Sequence, residues 1–286
     1  MDRPFKPKWL PGRDLDRLDR IGFVPGPDED REAFLERVDT LETFFSHPSS
    51  DVDYFLTDTD WSGALKKTET LYGFAPNWIV AHYSDRRLPF FQGAATWIVE
   101  REGVRVPLIQ LRTRFDQGSY MKIYRREEVL AHEAVHAMRM QFDEPYFEEI
   151  FAYKTSSRFY RRFFGPIFMR PWESYIFILL LFSPIGVEVA RFFVPELGLY
   201  AFFGFLPALF LGVLLIRLFL SQMILFFSLR YIKGFLQPSV KPLAAAVRLS
   251  DSEIFRFAFA KREKLKRFIR DKKSLRWTLL REKYFL

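Results

Sequence analysis

The sequence has no cysteine among its 286 residues. That excludes structural disulfides, thiolate metal sites and cysteine nucleophiles, so any zinc must be held by histidine and carboxylate. Histidine is scarce too, at four residues. The first 25 residues are charged and hold no apolar core of the length a secretory signal needs, so none is expected. No internal repeat or low-complexity segment stands out. A generally basic surface is also missing. The net charge is +8, and residues 253–286 alone carry twelve Lys and Arg against four acids, which leaves the rest of the chain close to neutral. What is abundant is aromatic: 18% of the chain, with 34 Phe concentrated after Phe159.

The opening "RPFKPKWLPGRD" reads as an irregular arm. In "DEDREAFLERVDTLETFF" the residues Phe34, Leu35, Val38, Leu41 and Phe44 recur at helical spacing, and Asp28 or Asp30 could cap that helix. The period then changes. "NWIVAHYS", "AATWIVERE" and "VRVPLIQLRTR" are rich in β-branched and aromatic residues and predict two or three strands, with a hairpin near Glu102–Gly103. Pro107 argues that its strand lies at an edge or begins with a bulge. "FDQGS" predicts a turn and "YMKIY" a short strand or helix lead-in. A helix over 125–141 and a second one from about Tyr146 flank the break at Pro145, which cannot continue a helix from within.

From Ser174 the chain turns apolar. "SYIFILLLFSPIGVEVARFF" and "LGLYAFFGFLPALFLGVLLI" are each 20 residues, about the length of a spanning helix. Pro184 and Glu188 count against the first, and a buried core hairpin is the alternative to spanning. A third run, "LFLSQMILFFSL", reads as a continuation of the second along the membrane surface. Lys154, Arg158, Arg161, Arg162 and Arg170 precede the first stretch; Arg217, Arg230, Lys233 and Lys241 follow the second; the connection holds only Arg191. By the bias of basic residues, both flanks belong in the cytoplasm. In the tail, Ser250 and Glu253 form a capping box before the amphipathic "EIFRFAFAKREKLKRFIRD". Its basic face could meet anionic lipid headgroups or simply be solvated while the apolar face packs inward. No nucleic-acid motif accompanies it, so no nucleic-acid partner is expected.

The chemistry concentrates in "VLAHEAVHAMRMQFDEPYFEEIFAY", residues 129–153. His132 and His136 are four apart, hence on one helix face, and can direct ring nitrogens at one ion while Glu133 lies beside it. Composition alone would yield roughly 0.004 such His-Glu-x-x-His matches in a chain of this length. Two histidines leave zinc under-coordinated. Glu149, on the next helix, is the candidate third ligand, with Glu148 as its rival about 100° round the helix. The plain alternatives are two half-buried helix histidines and a solvated carboxylate. Tyr153 and Arg158 are candidate transition-state donors. His47 and His82 lie far from the motif. Charges in "YRREE" and "RMQFDE" on either side keep it out of hydrocarbon.

"HEAVH" followed by "EIFAY" resembles the gluzincin zinc metallopeptidases, which carry His-Glu-x-x-His on one helix and a Glu ligand, often Glu-x-x-Ala, on the next. Glu149 and Ala152 match the second pattern, and the resemblance covers about residues 97–153. The spacing between His136 and Glu149 is shorter than in many members. The resemblance implies an α+β fold with a small sheet before the active helix, one Zn2+ held by His132, His136 and Glu149, Glu133 as general base, and a protein or peptide substrate added to a sheet edge. Four segments are expected: 1–76, helical and irregular; 77–172, the zinc metallopeptidase core; 173–230, a transmembrane helical hairpin; and 231–286, basic amphipathic helices. Together they describe a multi-pass protein of a bacterial inner membrane with a cytoplasmic catalytic domain. The other reading is a non-enzymatic membrane anchor whose basic helices bind lipid or a partner.

Overall fold

The computed structural model describes residues 14–46, 55–89, 92–101, 103–193 and 204–286. The expected N-terminal arm, His47, Glu102 and the first part of the second apolar stretch lie outside them. Three helices come first: α1 (Leu15–Arg20), α2 (Arg31–Ser46) and α3 (Asp58–Tyr72). Asp30, not Asp28, accepts from the Ala33 amide at the start of α2 (2.9 Å). Thr57 and Asp60 form a capping box on α3, and Gly73 ends it in the left-handed region.

Strands β1 (Val80–Tyr83), β2 (Ala94–Arg101) and β3 (Val104–Leu111) form one sheet in the order β1-β3-β2. The expected hairpin joins β2 and β3, with Gly103 at φ +77. Pro107 is not on an edge strand, since β3 is central. It is tolerated because the parallel pairing with β1 begins only at Leu108, so at Pro107 the strand has a neighbour on one side. A 3₁₀ turn (Thr113–Gln117) and the short hairpin β4 (Ser119–Tyr120), β5 (Tyr124–Arg125) lead into α4 (Arg126–Arg139). There follow α5 (Pro145–Lys154), α6 (Phe159–Phe164), a second 3₁₀ turn, α7 (Pro171–Leu181), α8 (Ser183–Phe193), α9 (Leu206–Lys233), α10 (Pro242–Ala246), α11 (Asp251–Phe259), α12 (Arg262–Asp271) and α13 (Leu275–Lys283). The architecture is mixed α+β.

Helix α4 is sandwiched between two apolar cores. Leu130, Ala131, Ala134 and Ala137 pack with Phe34 and Leu41 of α2, Trp61 of α3 and Val106 and Ile109 of the sheet. Val135 and Met138, on its opposite side, pack with Phe147 and Phe151 of α5, Leu225 and Ile232 of α9 and Trp277 of α13. A side chain of this kind, fully buried, stabilises the fold by about 1.5–3 kcal/mol. The first core crosses the expected limit at 76, and the second crosses those at 76, 172 and 230.

Two helical paths are long and apolar enough to cross a membrane: Pro171–Phe193, 23 residues, and Leu206–Lys233, 28 residues. The first is broken between α7 and α8, where Pro184 supplies no N–H to the ladder. The second corrects an expectation. The run after Arg217 continues the second stretch as expected, as the second half of α9; what differs is Arg217, expected as a flank, which lies within the helix. Its guanidinium is accommodated by Glu173 at the start of α7 (2.8 Å) and the Ile167 carbonyl (2.9 Å). One stripe of α9, Leu218, Ser221, Leu225, Ser228 and Ile232, is buried, while Phe219, Phe226 and Tyr231 face outward. The tail also differs: its first amphipathic run breaks at Ala260 into α11 and α12, which packs Leu265 and Ile269 inward. Its basic residues are not all surface groups, for Arg276 is buried.

Candidate metal centre

Helix α4 ends at the sequence "QFDE", where Asp143 adopts φ +52 and Pro145 opens α5. This reversal lays α5 back on α4. Phe147, Ile150 and Phe151 are fully buried, which turns the intervening Glu148 and Glu149 towards the histidines. His132 Nε2 is 3.2 Å from His136 Nε2, and Glu149 oxygens stand 3.8 Å and 3.6 Å from them. The three ligand atoms thus lie within 4.8 Å of one another. Donors arranged tetrahedrally at about 2.0–2.1 Å from one zinc sit roughly 3.3 Å apart, so this set fits such an ion.

The two glutamates separate by role. Glu149 joins the histidines, while a Glu148 oxygen lies 2.6 Å from Nδ1 of His136, on the far side of the ring. That contact holds the Nδ1 proton and presents Nε2 to the shared point, the usual partnership of a metal-ligating imidazole with a carboxylate. Glu133 is buried, and its Oε2 accepts from Thr96 Oγ1 of β2 (2.7 Å). As bare side chains these groups crowd negative charge. Burial pushes the Glu149 carboxyl up to about 7, against the pull of His136. Burial likewise raises Glu133. Burial disfavours charge on His136 as well, but Glu149, Glu148 and Glu133 outweigh it and push the ring up to about 10. His132, desolvated and beside that cation, is held well below the ordinary histidine value. A cluster of three carboxylates around two imidazoles is suited to a cation.

The cluster opens into a cavity of about 550 Å3. Thr96 and Ile98 of the edge strand β2 form one wall, and Met169, Pro171 and Tyr175, at the foot of α7, form another. Tyr153 lines it, its ring 4.6 Å from that of His132. Arg158, the other expected donor, does not line it: the side chain is exposed and donates to the Tyr160 hydroxyl (2.8 Å). The turn after Thr155 carries it outward. Arg161, three residues on, takes that place, donating to Glu128 (3.0 Å) with its guanidinium 4.7 Å from the Tyr124 ring. Neither Arg161 nor Thr96 was singled out from the sequence. "RFYRRFF" gives no reason to choose among its three arginines, and Thr96 meets Glu133 only through the fold. His82 sits on β1 opposite Gln110 and does not line the cavity.

No known protein family matches the chain, and no curated protein or solved structure is detectably similar to it.

Proposed function

We propose that the protein is a membrane-associated zinc-dependent metalloendopeptidase. The observation that carries this reading is the convergence of His132, His136 and Glu149 with Glu133 alongside, at the floor of an open cavity. A zinc bound there supplies Lewis acidity and lowers the pKa of a coordinated water to about 7. Glu133 takes the proton of the attacking water and returns it to the leaving amine, with Thr96 fixing one carboxylate oxygen so that the other faces the reaction. Tyr153 and Arg161 are the donors placed to meet the developing oxyanion. An extended polypeptide would lie along the free edge of β2, where Trp97 and Ile98 are exposed.

The two apolar helical paths support insertion in a membrane. Lys154, Arg161, Arg162 and Arg170 before α7, and Arg230 and Lys233 at the end of α9, put the catalytic side in the cytoplasm on the basic-residue rule. Arg217, paired with Glu173, no longer counts as a flank.

The test is metal content together with cleavage. Purified protein should hold about one zinc; His132→Ala, His136→Ala and Glu149→Ala should lose it; Glu133→Gln should keep it and no longer cleave casein. A wild-type protein that binds no zinc ends this reading in favour of a non-enzymatic membrane protein. Undiminished cleavage by Glu133→Gln removes Glu133 as the base.

A further inference from the structure

A second cavity, about 300 Å3, lies between α6 and α9 and shares no lining residue with the one over the histidines. Its size is at the lower end of the range of about 300–1,000 Å3 usual for small-molecule sites. Phe163 of α6 and Phe219, Met223 and Phe226 of α9 make its walls apolar. Gln222 is turned to the Phe163 carbonyl (3.5 Å). One charged residue lines the cavity: Lys154, the last residue of α5.

Lys154 is in an unusual position for a lysine. Among the described residues no carboxylate pairs with it, and the charge acting on it is a second cation, Arg162, next to Phe163. Burial, and then Arg162, hold its ammonium below the ordinary lysine range. A half-buried cation lining an apolar groove, with a second, exposed cation near enough to act on it and no paired acid among the described residues, is unfavourable until an anion joins them. Phe219 and Phe226 on its wall are 54% and 59% exposed, on a helix apolar enough to lie in a membrane. A free phosphate would satisfy the cations and leave the phenyl walls bare. An alkyl chain would cover the walls and leave the cations unpaired.

We propose that this groove is a binding site for an anionic phospholipid, its phosphate held by Lys154 and Arg162 and an acyl chain lying against Phe163, Phe219 and Phe226. The site is separate from the basic face of α12, whose lysines and arginines are exposed. It is independent of the zinc chemistry. Lysine and arginine near a membrane surface attract anionic headgroups in general; the distinguishing feature here is a half-buried lysine lining a shaped apolar slot, with a second cation close by.

The full chain, purified in detergent and stripped of lipid, would be offered equal amounts of phosphatidylglycerol and phosphatidylcholine, and retained lipid counted by native mass spectrometry. Wild type should retain phosphatidylglycerol about 10-fold over phosphatidylcholine. Lys154→Met, which keeps the apolar stem and removes the charge, combined with Arg162→Gln should abolish the preference without loss of bound zinc. Lys264→Gln with Lys266→Gln on α12 should leave it intact. Phe226→Ser should reduce retention of both lipids. Equal retention by wild type, or a preference that survives loss of both cations, overturns the site. Displacement of the lipid by millimolar inorganic phosphate would show an anion site without a lipid requirement and overturn it too.

Discussion

Side chains that touch the candidate ligands would decide how well the proposed centre works. Glu148 is the sharper case. It accepts from His136 Nδ1 at 2.6 Å and is not itself among the three ligand atoms. Glu148→Gln should therefore weaken zinc binding about 10–100-fold, the usual effect of removing a partner of a metal ligand. The site should still fill at saturating zinc, whereas Glu149→Gln should not give a stable complex. A chelator competition titration reads both, and the reverse order would exchange the two roles. Thr96 is the counterpart on the base. Thr96→Val keeps the shape and deletes the hydroxyl on Glu133. The kcat/KM for peptide cleavage should fall about 10–100-fold, or ~1.4–2.8 kcal/mol of transition-state stabilisation, with zinc content unchanged. Loss of zinc in Thr96→Val would show the residue to be structural only. At this scale the sequence was informative where chemistry follows from local spacing. His132, Glu133 and His136 share one helix, and Pro145 restarts the chain at a fixed distance, so the clustering of the candidate ligands could be read in advance. Thr96 is 37 residues from Glu133, and no local pattern joins them.

Between elements, α5 packs tightly against the turn after α6. Gly165 has helical backbone angles, so its value is not conformational freedom. A Cβ there would clash with the ring of Tyr153. The ring of Tyr153 rests in turn on His132. Gly165→Ala should overpack this contact at a cost of about 1–3 kcal/mol, lowering Tm by several degrees, and should push Tyr153 against the ligand. In the double variant with Tyr153→Ala the cost should largely vanish, because the clash has no second partner. Additive losses in thermal melts would show that Gly165 is needed for some other contact. The elements themselves were legible to different degrees. The β2–β3 hairpin and the α4–α5 pair came from period and breaker residues. So did the continuation of the second apolar stretch, but the place of Arg217 inside α9 did not, because Arg217 reads in sequence as the border of an apolar run. Its partner Glu173 is 44 residues away, and only the pairing lets a guanidinium sit inside the helix. Pro107 misled similarly: the rule concerns a missing N–H, and the short reach of β1 leaves that position unpaired on one side.

Across the whole molecule, buried arginines tie the tail to α1, α3 and α4, which explains why charge counting described the tail poorly. Arg248 pairs with Asp19 of α1 and donates to the Tyr72 carbonyl (2.8 Å). Arg276 pairs with Glu253 (2.7 Å). Arg139, the last residue of α4, donates to the carbonyls of Val247 (2.7 Å) and Leu249 (3.0 Å) and reaches Asp251 (3.4 Å). Asp251 in turn accepts from the Tyr146 amide at the start of α5 (2.9 Å). The tail thus holds both helices of the metal centre in place, and Asp251 makes that hold depend on pH. Burial pushes its carboxyl up to about 6, with Arg139 opposing and Glu144 assisting. The folded protein therefore binds this proton more tightly than the unfolded chain, whose value is near 3.8. Stability from this group is complete below about pH 3.8 and is lost as pH rises through about 6, a swing on the order of 3 kcal/mol. Asp251→Asn cannot titrate. Whatever its offset from removing the negative partner of Arg139, its Tm relative to wild type should rise by roughly 5 °C or more between pH 4 and pH 7.5. A constant difference across that range would mean that Asp251 is ionised in the folded protein throughout, and that the tail grips the metal helices by an ordinary ion pair.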